Sequence, residues 1–129
     1  MTQAAVLDQD YLMANYHQPG FSYLLPEILT LFRRQAVIYL QSIEQHLEKG
    51  DMQVLAMEAH TLKGAAGSVG AAALAEIAEH LEETAPASDI TEVRLQVGLL
   101  REVTSRTDAA IAVELARLAA ETDDELGLP

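Results

Sequence analysis

The stretch Ala59-His60-Thr61-Leu62-Lys63-Gly64-Ala65-Ala66-Gly67-Ser68-Val69-Gly70 holds the residues best suited to chemistry in this chain. On a helix advancing about 100° per residue, Leu55, Ala59, Leu62, Ala66 and Val69 form an apolar stripe about 80° wide that must face a core. From the centre of that stripe His60 lies at about 140°, Lys63 at about 80°, Ala56 at about 100°, Gly67 at about 120° and Gly64 at about 180°. These five share one outward flank. An imidazole and an ammonium therefore stand a turn apart among residues with almost no side chain.

Each Gly inside a helix costs roughly 1 kcal/mol relative to Ala. Gly64 and Gly67 together forfeit about 2 kcal/mol if both are mid-helix, and what they provide is bare surface on either side of His60. That surface admits another macromolecule to the ring. A neutral imidazole is a good nucleophile at neutral pH, and a nearby ammonium stabilises an anionic group transferred to it. Lys63 is the one basic residue between Lys49 and Arg94. A phosphoryl group fits such a site best. A carboxylate completes it: if the chain reverses between Ser68 and Ala71, His60 lies about 14 Å back from the turn and Glu82 about 19 Å forward, within about a turn of each other. Glu82 can then accept the Nδ1 proton and leave Nε2 free.

The elements that position these residues are legible from punctuation and period. His17-Gln18-Pro19-Gly20 separates a short apolar segment (Val6, Leu7, Tyr11, Leu12) from a helix with Pro26 in its first turn. Gly50 ends that helix and Asp51 caps the next. Ser68-Val69-Gly70 is a weaker interruption, and Pro86-Ala87-Ser88-Asp89 is a loop whose Asp89 and Glu92 resemble a capping box. Between the breaks the apolar spacing is helical: Leu29, Phe32, Ala36, Leu40, Ile43 and Leu47; Leu74, Ala78 and Leu81; then Val93, Val97, Leu100, Thr104, Thr107, Ile111, Leu115 and Leu118. The expected fold is all-α, an antiparallel up-down four-helix bundle with a short extra N-terminal helix. One domain is expected over residues 1–120, followed by an acidic, frayed tail over 121–129.

Ala59-His60-x-Leu62-Lys63-Gly64, followed by Ala65-Ala66-Gly67-Ser68-Val69-Gly70, Leu74 and Leu81-Glu82, resembles the histidine-containing phosphotransfer (HPt) domain of His-Asp phosphorelays. The resemblance covers roughly residues 24 to 85. It implies a four-helix bundle whose exposed His takes a phosphoryl group from a response-regulator aspartate and passes it to another, without kinase activity. Carried over by position, His60 is the phosphoacceptor at Nε2, Lys63 steadies the phosphoryl oxygens, Gly64 leaves room for the receiver and Glu82 holds the ring. Family members carry Gln or Glu at the place of Glu82, and usually Ala or Ser at the place of Gly67. The implied partners are response-regulator receiver domains and a hybrid sensor histidine kinase. No cofactor is expected on this chain, and the Mg²⁺ belongs to the receiver. An apolar patch must also meet the receiver. Leu7, Leu12, Tyr16, Leu25 and Leu29 are its candidates, and the same residues read equally well as core.

Other functions are poorly served. A formal charge of −12 repels nucleic acid and anionic membranes, no apolar run approaches the roughly 18 residues of a spanning helix, and there is no cysteine. The N-terminus lacks the pattern of a signal peptide, so a cytoplasmic location is expected. The Met1 start and the short acidic end favour a free-standing protein, expected as a monomer. A di-iron site would need Glu-x-x-His, which is absent. His17, His46 and His80 read as surface residues. Two alternatives remain: a scaffold that binds a receiver without being phosphorylated, and the phosphoacceptor domain of a chemotaxis-type kinase.

Overall fold

The computed structural model describes residues 4–16 and 22–125, which leaves the His17–Gly20 break outside the described residues. Five α-helices follow one another: α1 (Gln9–Tyr16), α2 (Leu25–Lys49), α3 (Met52–Ser68), α4 (Ala72–Thr84) and α5 (Ile90–Glu125). Short 3₁₀ turns stand at Ser22–Leu24 and Ala85–Ala87. No strand occurs among the described residues, and no helix there is long and apolar enough to cross a membrane.

The helix ends follow the sequence signals. Pro26 occupies the first turn of α2, where its missing N–H has no partner to lose. Gly50 closes α2 at φ 73°, its N–H donating to the carbonyls of His46 and Leu47. Asp51 then accepts from the Val54 amide (3.4 Å) and starts α3. At α5 the Glu92 amide donates to Asp89 (2.9 Å), while the Glu92 side chain accepts from Gln96 rather than closing a capping box.

Each of α2, α3, α4 and α5 packs on two of the others: α3 lies between α2 and α4, and α5 between α4 and α2. The predicted apolar stripes supply the core, with Leu29, Ile43, Leu55, Leu62, Leu74, Leu81, Leu100 and Ile111 fully buried. Thr104 and Thr107 sit in the stripe of α5 because their hydroxyls donate to the carbonyls of Leu100 and Val103 (both 2.7 Å), so neither brings an unpaired polar group inside. Ion pairs register α2 against an antiparallel α5: Arg33 with Asp108 (2.7 Å), Glu44 with Arg101 (3.1 Å) and Glu48 with Arg94 (3.0 Å).

Two features depart from the expected layout. Helix α5 continues to Glu125, past residue 120 where the tail was placed. Arg117 supports this stretch by pairing with both Glu114 and Glu121, one helical turn to either side. The N-terminal segment is more than an appended helix. It straps the α3–α4 turn: the Asp8 amide donates to the Gly70 carbonyl (2.8 Å) and the Ala73 amide to the Ala5 carbonyl (2.7 Å). The Tyr16 hydroxyl adds a bond to the Ser68 carbonyl (2.8 Å).

Gly70 also adopts φ 73°, and a Cβ there would meet Tyr11 Cδ1 at 3.0 Å and the Asp8 carbonyl oxygen at 3.3 Å. At Gly50 the same backbone conformation has no neighbour within 4 Å of a Cβ. Gly50→Ala is therefore expected to cost only the left-handed penalty of about 1 kcal/mol, whereas Gly70→Ala costs more and loosens the strap. Denaturant titration with amide exchange at Asp8 and Ala73 checks this; equal costs with unchanged exchange refute it.

Candidate functional site

His60 and Lys63 project from the middle of α3, and Glu82 meets them from α4. The tight reversal between the helices sets this pairing. The His60 Nδ1–H donates to Glu82 Oε1 across 2.6 Å, and Lys63 Nζ lies 2.8 Å from Oε2. One carboxylate thus holds two side chains, one on each oxygen. The His60 side chain remains 64% exposed, and Nε2 has no protein partner among the described residues. The ring is gripped by one nitrogen and open to solvent at the other.

Electrostatics favour the charged carboxylate. The adjacent Lys63 ammonium, and after it the bond from His60, hold the Glu82 carboxyl below the usual carboxylate range against the opposing effect of partial burial. Glu82 likewise pushes Lys63 up, with smaller help from Glu79 and Glu83. From sequence Lys63 stood as a lone cation beside His60. In the structure its ammonium rests on Glu82, so any anion it serves must share it with that carboxylate.

Gly64 and Gly67 are exposed, and a Cβ at either would meet nothing within 4 Å. The fold gives no steric reason for glycine at these places. Ala56, placed on the outward flank from sequence, is instead buried at 8% exposure. The 3₁₀ turn Ala85–Ala87 packs on α3, and its Pro86 lines the same hollow as Ala56, His60 and Glu82.

The apolar docking candidates need correcting. Leu12 and Leu29 are buried, at 2% and 0% exposure, as is Leu25: Leu12 packs from α1 into the core, and Leu25 and Leu29 belong to the core-facing side of α2. Leu7 and Tyr16 are partly buried against the same core. The exposed apolar side chain nearest His60 in sequence is Met57, one turn before it and 68% exposed. Leu31 and Ile38 add exposed apolar surface on α2. Met57 was readable, since three residues before His60 on a helix is the same face.

A family model for the Hpt domain matches residues 27–121. The chain belongs to the Hpt domain family. A crystal structure of histidine-containing phosphotransfer protein B (HptB) from Pseudomonas aeruginosa PAO1 aligns with it at a TM-score of 0.80 and 25% sequence identity, covering 89% of this chain and 98% of that one. No curated protein matches the sequence. Hpt proteins are phosphotransfer carriers in His-Asp phosphorelays and are not kinases, and membership gives this chain that general role. The Hpt match includes most of α5 and excludes α1, so the strap lies outside the family's matched region.

Two measurements check the geometry. In the neutral ring the proton is expected on Nδ1, seen as a bare Nε2 by ¹⁵N chemical shift, and a tautomer mixture would refute the Glu82 contact. Because the Glu82 pKa is lowered on folding, its stabilising effect is present above the unfolded carboxylate value of about 4.3 and is lost as pH falls through the lower folded value. The wild type is thus expected to be more stable than Glu82→Gln near neutrality, with the gap closing below about pH 4. A pH-independent gap in thermal unfolding would overturn this.

Proposed function

We propose that this protein is a phosphocarrier of a multistep relay, in which His60 takes a phosphoryl group from a receiver aspartate and passes it to a second receiver. The observation that carries the reading is a His60 ring bonded through Nδ1 to Glu82 while Nε2 opens onto a surface cleared by Gly64 and Gly67. The carrier unit is read as an antiparallel four-helix bundle, monomeric and cytoplasmic, with receiver domains and a hybrid sensor histidine kinase as its partners.

In the proposed step Nε2 attacks the phosphorus of the aspartyl phosphate in line. The N–P bond forms as the bond from phosphorus to the aspartate oxygen breaks, and the aspartate leaves as a carboxylate. The proton stays on Nδ1. The ring then carries positive charge, which the Glu82 carboxylate offsets at 2.6 Å. Lys63 offsets charge on the equatorial oxygens, and reversal onto a second aspartate completes the relay. The Mg²⁺ of the reaction is the receiver's. Met57, Gly64 and Gly67 form the docking surface around the ring.

Incubation with a phosphorylated receiver and Mg²⁺ tests the reading. Acid-labile, alkali-stable label is expected on the wild type, and none on a folded His60→Gln variant. Label on His60→Gln would overturn the assignment, and tight binding without label would favour a scaffold. Lys63→Ala is expected to slow transfer about tenfold, the effect of about 1.4 kcal/mol on the barrier. Gly64→Ala is expected to stabilise the isolated protein by about 1 kcal/mol, and Gly64→Leu to weaken receiver binding while the helix stays folded. Unchanged receiver affinity for Gly64→Leu would refute the cleared-surface argument.

A further inference from the structure

The α4–α5 side of the molecule carries a groove of about 590 Å³ that the proposed phosphotransfer does not use. Ala73 and Ile77 of α4, Val103 of α5 and Val6 of the N-terminal segment give it an apolar lining. Leu99 lies one turn before Val103 and Leu95 one turn earlier; they are 41% and 60% exposed and extend the apolar surface along α5. Glu82 and His80 are two residues apart on α4, about 200° around the helix. Glu82 therefore faces α3 and His60, while His80 lines the groove. The imidazole of His60 is not part of the groove's lining, although Glu76 and Glu79 also border the hollow that holds Lys63 and Gly67.

The charge beside this lining selects the occupant. Glu76, Glu79 and Glu83 line the groove at i, i+3 and i+7, one row along α4 with a turn between neighbours. Among the described residues none of the three is within ion-pair distance of a cation, and only Glu79 and Glu83 act at longer range on Lys63, whereas Glu44, Glu48, Glu102, Asp108, Glu114 and Glu121 are each paired with an arginine. Arg106, the groove's one cation, is held by Glu102. A second copy of this chain cannot supply the missing charge. It carries −12, and its basic side chains outside ion pairs, Arg34 and Lys49, are too far apart in sequence to form a row.

We propose that the α4–α5 groove is a second docking surface, for a basic amphipathic helix of a partner protein. From Ala73 to Glu83 the groove runs about 15 Å, the length of about ten helical residues. The complementary helix would set Leu or Ile on the Ile77–Val103–Leu99 surface and Lys or Arg at one-turn spacing against Glu76, Glu79 and Glu83. The surface exists whether or not His60 is phosphorylated, so the proposal stands apart from the phosphocarrier reading.

The test uses the full chain and a synthetic peptide of about 14 residues, with Leu on one helical face and Lys at i, i+3 and i+7. A scrambled peptide of the same composition is the control. Saturable binding with amide shifts centred on Ile77, Leu99 and Val103 is expected, weakened about tenfold by Glu76→Gln with Glu83→Gln and again by Leu99→Ser. Leu99 is exposed, so that last variant does not threaten the core. Equal affinity for the scrambled peptide, shifts centred on the His60 face, or no binding would each overturn the proposal.

Discussion

The register of α3 against α4 is the constraint on which the site depends. The turn at Ser68–Ala71 is short, and Gly70 takes a left-handed conformation to close it. Two antiparallel helices leaving so tight a turn have little freedom to slide, and the packing of Leu62 and Ala66 on α3 with Leu74 and Ala78 on α4 removes the rest. Glu82 then arrives opposite His60 and Lys63 without any loop to adjust it. A slip of one residue would rotate the carboxylate by about 100° and break both contacts together.

Glu82 joins the electrostatics of the site to its geometry. A carboxylate that grips Nδ1–H fixes the tautomer, and the same carboxylate restrains the one nearby cation. On the proposed reading the imidazole is thereby prepared as a nucleophile, with a countercharge in place for the cationic ring that phosphorylation would create. Lys63 is positioned by the same bond that limits it. The site trades the freedom of the ammonium for its placement.

Much of this was legible in the sequence because it rests on period and punctuation. The stripe Leu55, Ala59, Leu62, Ala66 and Val69 is wholly buried, and the outward direction of His60 and Gly64 follows from the same wheel. The pairing of Glu82 with His60 was reachable because a turn of known position converts residue counts into heights. What stayed hidden depends on packing between distant segments. Leu12 is apolar and near the right region, but a helical wheel does not say that α1 folds inward, while Leu29 belongs to the stripe that α2 turns to the core. Ala56 lies on the outward flank by angle yet is buried, on a helix against which the 3₁₀ turn at Ala85–Ala87 packs. The burial of Glu114 at 3% exposure, held by Arg117 and Gln9, has no signature in an acidic sequence.

The strap over the α3–α4 turn has a kinetic meaning. Contacts between successive helices close short loops, so α3 and α4 can pair early. The bond from Gln9 to Glu114 joins residues 105 apart, and the strap's bonds to Gly70 and Ala73 also wait for the turn to exist. Docking the N-terminal segment therefore closes a longer loop than pairing α3 with α4 does. Residues 4–16 emerge from the ribosome before the helices that receive them, so their bonds wait until that surface is made.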